Sequence, residues 1–380
     1  MSKIERVEAW VCRFALPAPF SPSWVPGSPS NHADCLVYRI TTDDGIEGAA
    51  GTFAVLEEGK GYLPIIQAYL TGREVTAVED ILKTLRSAAQ VLGYRAWHVE
   101  LALWDIIGKQ AGLAVSRLLG GARDRVTAYA STGELKAPEQ HVETVQELKD
   151  EGFTAVKLRV RHPTLAEDVA VVEAVREAME DDFTIMVDAN QGWRVHGLGP
   201  YPEWDFKRAV QFARECEDLD VYWLEEPLYQ YDFDGYARLR AETDVRIAGG
   251  EMLAELHPFR ELLVRGGLDV VQPDATLSGG ILTCRKISAL AEAFGAEYAP
   301  HTWTNGIGLA ANLQLIGAAP NAAFCEFPYE PGRWVPEARD GMLTEPLTVD
   351  ADGTIAIPQE PGLGVEVDWD KVERVGTALH

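Results

Sequence analysis

The stretch Val221-Tyr222-Trp223-Leu224-Glu225-Glu226-Pro227 sets four large apolar residues directly before two carboxylates and a proline. Such a run fits a strand buried on both faces, as in a parallel sheet, and the proline ends it. Ionised carboxylates at the mouth of that strand are costly without a cation beside them. Phe183-Thr184-Ile185-Met186-Val187 runs in the same way into Asp188. Val245-Arg246-Ile247-Ala248, followed by Gly249 and Gly250, runs into Glu251. Three acidic residues at three strand ends point to one shared partner, and a hard divalent cation is the simplest.

Those strand ends need a scaffold that brings them together. Apolar runs recur near 126–131, 154–159, 183–188, 221–225, 245–250, 268–273, 296–300 and 321–325. Helical stretches at 138–151, 164–179, 205–218, 233–242, 256–265 and 279–294 fall between them. Eight strands separated by helices predict a (β/α)8-type barrel of the α/β class rather than an open doubly wound sheet. A barrel of this kind gathers catalytic groups at the C-terminal ends of its strands. Lys157 and Arg159 stand there on the second run, Asp274 after the sixth, His301 after the seventh and Glu326 after the eighth. Residues two apart on a strand share a face, so Lys157 and Arg159 both point into the mouth. Two cations facing three carboxylates do not make an ordinary core. The Gly- and Pro-rich stretch 193–202 is expected as a surface excursion near that mouth.

Ahead of the barrel, 4–15, 34–41 and 46–51 read as strands, with Asp43-Asp44-Gly45 as a hairpin turn. Residues 57–70, 77–92 and 97–120 read as helices, the last stopped by Gly120-Gly121. Residues 17–27 carry four prolines and a glycine and read as a loop. Its Phe20 and Trp24 either anchor it to the protein or cover a pocket. Residues 349–355 look like a hairpin in a C-terminal tail. The expected division is an α+β unit over 1–125, a barrel over 126–345 and a tail over 346–380.

A chain of 380 residues, 47% apolar and 24% charged, is of ordinary globular composition and long enough for a barrel and a smaller domain. No window approaches a membrane span. The five cysteines are odd in number, widely spaced and form no CxxC pair, which argues against a disulfide framework or zinc site and fits a reducing cytoplasm. The net charge of −25 opposes nucleic acid and anionic membrane surfaces. An anionic substrate must therefore be drawn in by local cations.

The ordered set of motifs resembles the enolase superfamily, within its mandelate racemase-like subgroup. It comprises Ala102-Leu103-Trp104-Asp105, Leu118-Leu119-Gly120-Gly121, Asp188-Ala189-Asn190-Gln191, Trp223 to Pro227, Gly250-Glu251, Pro273-Asp274 and His301. The resemblance spans essentially the whole chain. It implies a modified (β/α)7β barrel with a capping domain built from both chain ends, and a homo-oligomer, often an octamer. It also implies a small-molecule carboxylate as substrate and one Mg2+ held by Asp188, Glu225 and Glu251. Reactions in the family begin by removing the proton α to a carboxylate, giving an enediolate. His301, paired with Asp274, matches the base, with Lys157 beside the developing charge. Glu326 matches a position that binds a substrate carboxylate oxygen as the neutral acid. Asn190, Trp24 and Trp303 are candidate substrate contacts, and Glu226 reads as structural, through a salt bridge or a helix cap.

The sequence departs from the subgroup at Arg159, where a second lysine often serves as a base opposite the histidine. A guanidinium stays protonated in nearly any protein setting, so Arg159 is a poor base and a good electrostatic clamp. That favours one-base chemistry through His301, first the dehydration of a sugar acid and second the cycloisomerisation of a sugar-acid lactone. A two-base racemase or epimerase ranks third, since it requires Lys157 to lose its proton. A binding paralogue without chemistry is the reading from another class, opposed by the intact Asp274 and His301.

Overall fold

The turn Asp43-Asp44-Gly45 forms as its composition dictates: Gly45 takes φ +83°, and its N–H donates to Thr42 O at 2.9 Å. It joins two strands of an antiparallel sheet in the computed structural model, which describes residues 2–54, 58–179, 183–193, 199 and 201–379. The sheet begins with β1 (Ile4–Phe20), β2 (Ser30–Thr42) and β3 (Glu47–Phe53). Strand β1 runs further than expected, through Pro17 and Pro19, with an irregular register between Ala15 and Phe20. Its other neighbour pairs only at Trp10 and Val11, so these prolines lie on an open edge where no ladder donor is lost. The covering loop is therefore 21–29.

Helices α1 (Glu58–Leu70), α2 (Val78–Leu92), α3 (Glu100–Ala111) and α4 (Val115–Leu118) follow, with a 3₁₀ turn at Trp97–Val99. The single helix expected over 97–120 is divided because Gly112 adopts φ +66° and closes α3, the Leu113 N–H donating to Gly108 O at 3.0 Å.

The barrel then alternates strand and helix: β4 (Arg125–Ser131), α5 (Pro138–Asp150), β5 (Ala155–Arg159), α6 (Leu165–Ala178), β6 (Thr184–Asp188), α7 (Phe206–Asp218) and β7 (Val221–Glu225). It continues as α8 (Phe233–Glu242), β8 (Arg246–Gly249), α9 (Leu256–Val264), β9 (Val270–Val271), α10 (Ile281–Ala293), β10 (Glu297–Tyr298), α11 (Gly306–Ala318) and β11 (Phe324–Pro328). The strands pair in parallel from β10 through β4 to β11, and a Tyr298–Ala322 bridge closes the ring. This is a TIM-type (β/α)7β barrel of the α/β class with an N-terminal cap. Helix α11 was not visible in the sequence. Every residue of it is buried, so it has no polar face to give a helical period.

After α12 (Pro336–Arg339), the tail contributes to both parts of the molecule. Strand β12 (Thr354–Ala356) pairs antiparallel with β4; beyond α13 (Trp369–Val375), β13 (Thr377–Ala378) pairs with β1.

Buried polar side chains fasten the cap to the barrel. The Glu100 Oε1 atom accepts from Leu282 N at 3.1 Å at the start of α10, and a Cβ at Gly280 would overlap Glu100. Asn305 caps α11 through Ile307 N and Gly308 N while its Nδ2 donates to Thr52 O at 3.1 Å. Asp105, 2% exposed, joins three segments, accepting from Ala49 N at 3.0 Å, Leu363 N at 2.9 Å and Lys109 Nζ at 2.8 Å. Asp105→Ala leaves two buried backbone N–H groups without acceptors, and is expected to cost about 2–5 kcal/mol of stability. A lowered urea midpoint at unchanged slope would establish this.

Candidate active site

The two-residue repeat of the strands arranges the barrel interior in layers. Tyr129, Ala155, Met186, Trp223, Ala248, Val270 and Ala299 form a buried apolar plug, with Phe324 packed against it. Two positions further along the same chain segments come Ser131, Lys157, Asp188, Glu225, Gly250, Gln272, His301 and Glu326. Inward-facing residues recur every second position, so a polar ring rests directly on the plug. The segment after β8 breaks the pattern. Gly250 takes φ +111°, the backbone turns, and Glu251 supplies the carboxylate.

Asp188, Glu225 and Glu251 are buried, and each offers an oxygen within 4.8 Å of the other two. Burial, together with repulsion among these carboxylates, pushes all three up from the usual range, Glu225 to about 7. Neighbouring cations offset this in part. Lys157 Nζ is 2.7 Å from Glu225 Oε1, Arg159 contacts Asp188, and His301 Nε2 is 3.7 Å from Glu251 Oε2. A donor set made wholly of carboxylate oxygens fits a hard ion such as Mg2+ and does not fit zinc or copper. A divalent cation also relieves the mutual repulsion, so the residues present fit the metal.

His301 Nδ1 lies 2.9 Å from Asp274 Oδ2. Asp274 is itself fixed, accepting from Thr276 N at 2.7 Å, Thr276 Oγ1 at 2.9 Å and Asn312 Nδ2 at 3.1 Å. Burial works against the imidazolium, but Glu251, Glu326 and Asp274 outweigh it and raise His301 to about 9. Lys157 is raised as well, burial being outweighed by Glu225 and Glu326. For Glu326 burial is again outweighed, and Lys157, His301 and Arg159 hold it down at about 2. It is an ionised acceptor here, for Ser131 Oγ at 2.7 Å, Thr302 N at 2.7 Å and Lys157 Nζ at 2.8 Å. The neutral acid that the resemblance implies is not the form these neighbours favour.

Phe20 and Trp24 divide the two roles that the sequence left open. Phe20 is buried and stacks on Trp303 at 5.7 Å, whereas Trp24 lines the cavity with the Arg159 guanidinium 4.9 Å from its ring. Asn190 donates to Asp188 Oδ2 at 2.9 Å and faces Ser23 Oγ at 3.0 Å. Trp303 Nε1 donates to Ser131 Oγ at 2.8 Å. Among the described residues Glu226 makes neither a salt bridge nor a cap. Both its oxygens are buried without a partner, and burial, with the neighbouring carboxylates, keeps it well above the usual carboxylate range. Most of the 193–202 excursion lies outside the described residues. Trp193 does not, and its Nε1 donates to Glu251 Oε1 at 3.1 Å. Ser131, Gln272 and Trp193 were missed in the sequence. The period of two, carried one step beyond the plug, marks the first two.

Trp24, Phe53, Arg159, Asn190, Trp193, Glu251, Met252, His301 and Trp303 enclose a cavity of about 100 Å³. A larger cleft of about 760 Å³ against the C-terminal tail holds none of these groups; its cation Lys109 is already paired with Asp105.

Residues 140–371 match the family described as enolase C-terminal domain-like, and 13–120 match the mandelate racemase / muconate lactonizing enzyme N-terminal domain. The chain belongs to the enolase superfamily, in its mandelate racemase-like branch. It is 30% identical to the D-galactarolactone cycloisomerase of Agrobacterium fabrum over 97% of both chains. It is 33% identical to the L-talarate/galactarate dehydratase of Salmonella typhimurium over 88% of this chain and 81% of that one. The crystal structure of an L-talarate dehydratase from a Polaromonas species, complexed with Mg and L-glucarate, superposes with a TM-score of 0.85 at 28% identity. It covers 99% of this chain and 98% of that one.

Replacing Asp188 by Asn, or Glu225 or Glu251 by Gln, is expected to weaken Mg2+ binding beyond the roughly 10- to 100-fold that loss of a supporting residue costs. Titration calorimetry of each variant with MgCl2 measures it.

Proposed function

We propose that this chain is a Mg2+-dependent lyase that removes water from a sugar acid, with His301 moving the proton. The observation that carries the reading is one cavity lined by His301, which Asp274 holds, and by Glu251 of the carboxylate triad, with Arg159 on its wall. Magnesium is the cofactor, held by Asp188, Glu225 and Glu251. When bound it supplies positive charge to the carboxylate oxygens on which negative charge develops.

The residues divide the remaining work. The Asp274 contact occupies His301 Nδ1 and leaves Nε2 of the neutral ring, the minor form near pH 7 given the raised pKa, to take the proton α to the carboxylate, breaking the C–H bond. Asp274 orients the ring and stabilises its protonated form. His301 then returns the proton to the hydroxyl on the β-carbon, whose C–O bond breaks and releases water. Lys157 and Arg159 remain cations throughout, because Glu225 and Glu326 favour charged Lys157 and Asp188 favours charged Arg159. They stabilise the carboxylate and do not exchange protons with carbon. Glu326 orients Lys157 and, through Ser131, the floor of the site. Asn190, Trp24 and Trp303 form the wall against which the substrate's hydroxyl-bearing carbons rest.

A lactone cycloisomerase uses the same proton transfer, with the ring oxygen as leaving group instead of water. The D-galactarolactone cycloisomerase matched over 97% of its length supports it as the second reading. Racemisation is disfavoured, since neither cation on β5 is disposed to give up a proton.

Three further assignments belong to this proposal. The cap comprises 1–125 and the tail 346–380, around a barrel at 126–345; the pairing of β13 with β1 supports the tail's part in it. The protein works in the cytoplasm, which its five buried free thiols support; among the described residues no helix is long and apolar enough to cross a membrane. It assembles as a homo-oligomer, as the resemblance implies, and sedimentation measures this.

Sugar mono- and diacids and their lactones, incubated with Mg2+ in D2O and followed by NMR, test the reaction. Loss of water is expected, reduced about 10²- to 10⁴-fold or more in His301→Asn. Lactone opening without loss of water would favour the second reading. Deuterium entering with inversion at the α-carbon would overturn one-base chemistry.

A further inference from the structure

Two cavities adjoin where the cap meets the barrel mouth. The one containing His301, about 100 Å³, is small beside the roughly 300–1,000 Å³ of typical ligand pockets. The other, about 380 Å³, is lined by Arg95, His98, Thr276 and Leu277 among others, and Phe53 and Met252 line both. Thr276 also donates to Asp274 through its N–H and its hydroxyl, so the second cavity starts directly behind the His301–Asp274 pair. Half-exposed Phe53 and the unbranched Met252 are a partition that is readily displaced.

The charges in the two cavities differ in a useful way. Arg159 is committed to Asp188 and His301 to Asp274. Among the described residues lining either cavity, Arg95 is the cation with no carboxylate within 4.0 Å. Its guanidinium lies 5.4 Å from the ring of Trp97, which is fixed by the Nε1 bond to Leu277 O at 3.1 Å. His98, 3% exposed, borders the same cavity with Nε2 unpartnered, its ring tied to the backbone of Arg95. Burial keeps that ring neutral, and its buried Nε2 meets no donor among the described residues. A cation on the cavity wall with no carboxylate partner among the described residues matches a carboxylate.

We propose that the second cavity receives the far end of the substrate and that Arg95 binds a second carboxylate there, making this chain selective for sugar diacids and their monolactones over monoacids. The proposal rests on the reading that His301 takes a proton α to a sugar-acid carboxylate. In a chain of net charge −25 a dianion needs a cation at each end. The metal and Lys157 serve one end, and Arg95 serves the other.

The test is kcat/KM of the Mg2+-loaded enzyme on paired hexaric and hexonic acids of matched configuration, for the native protein, Arg95→Met and Arg95→Lys. The native enzyme is expected to prefer the diacid. In Arg95→Met that preference should fall roughly 10- to 100-fold, mainly through KM, with Arg95→Lys intermediate. A native preference for the monoacid, or an equal loss on both acids in Arg95→Met, would overturn the diacid assignment and leave the His301 reading standing. If no acid of either kind loses water or exchanges its α-proton for deuterium, the underlying reading fails and this one with it.

Discussion

Three carboxylates crowded above an apolar plug are the constraint on which the rest of the site depends. With oxygens within 4.8 Å of one another, each ionised pair repels by about 3 kcal/mol or more at the effective dielectric of a protein. Three pairs together approach the whole stability of a typical domain, about 5–15 kcal/mol. The ring is tolerable only with cations inside it, which is why Lys157 and Arg159 are buried at 0% and 2% exposure, where such side chains are seldom found. The same crowding keeps the triad from ionising fully and makes it ready for a divalent ion. Stability is given up locally to hold a site of high charge density, and the plug, the closed sheet and the clamps to the cap supply it elsewhere.

The cap does more than cover the barrel. Its loop at 21–29 is pinned at several points to the strand ends that carry the candidate site residues. Ser23 N donates to Gly133 O after β4, Arg161 after β5 donates to Ser23 O, and Ser23 Oγ meets Asn190 after β6. These bonds seat Trp24 against Arg159, so an apolar wall and a fixed cation come as one unit. A low-dielectric wall strengthens the field of the charges beneath it. The cap therefore contributes to the electrostatics of a polar ring whose charged groups all belong to the barrel.

How much of this was legible in the sequence follows from the range of each signal. Strand ends such as Glu225 are marked by an abrupt change from apolar to acidic, a local feature, and the spacing of the strands gave the barrel. Helix α11 was hidden because a helix buried all round has no amphipathic period. The extension of β1 through Pro17 and Pro19 was hidden because it depends on which edge of the strand is left open, a property of the sheet. The candidate site was legible in its first layer, where residue type and spacing suffice, and not in its ionisation. The ionised state of Glu326 is set by Lys157, His301 and Arg159, which come from separate parts of the chain. Arg95 and His98 belong to a short connection ahead of α3 whose sequence carries no sign that it borders the mouth.

The replacement of a lysine by Arg159 has a consequence that composition alone does not suggest. A lysine beside Asp188 exchanges protons whenever its surroundings lower its pKa, whereas a guanidinium keeps its charge. With Asp188, Glu225 and Glu326 around them, both cations on β5 are held in the charged state. Lys157 and Arg159 enter from a strand three positions around the ring from the segment carrying His301. Under the proposed mechanism one side of the cavity supplies fixed charge while the other moves the proton. In the proposed reaction a proton removed by His301 returns from His301 as well, to carbon with its configuration retained or to a leaving oxygen. The second course requires nothing from the opposite wall except that it stay positive.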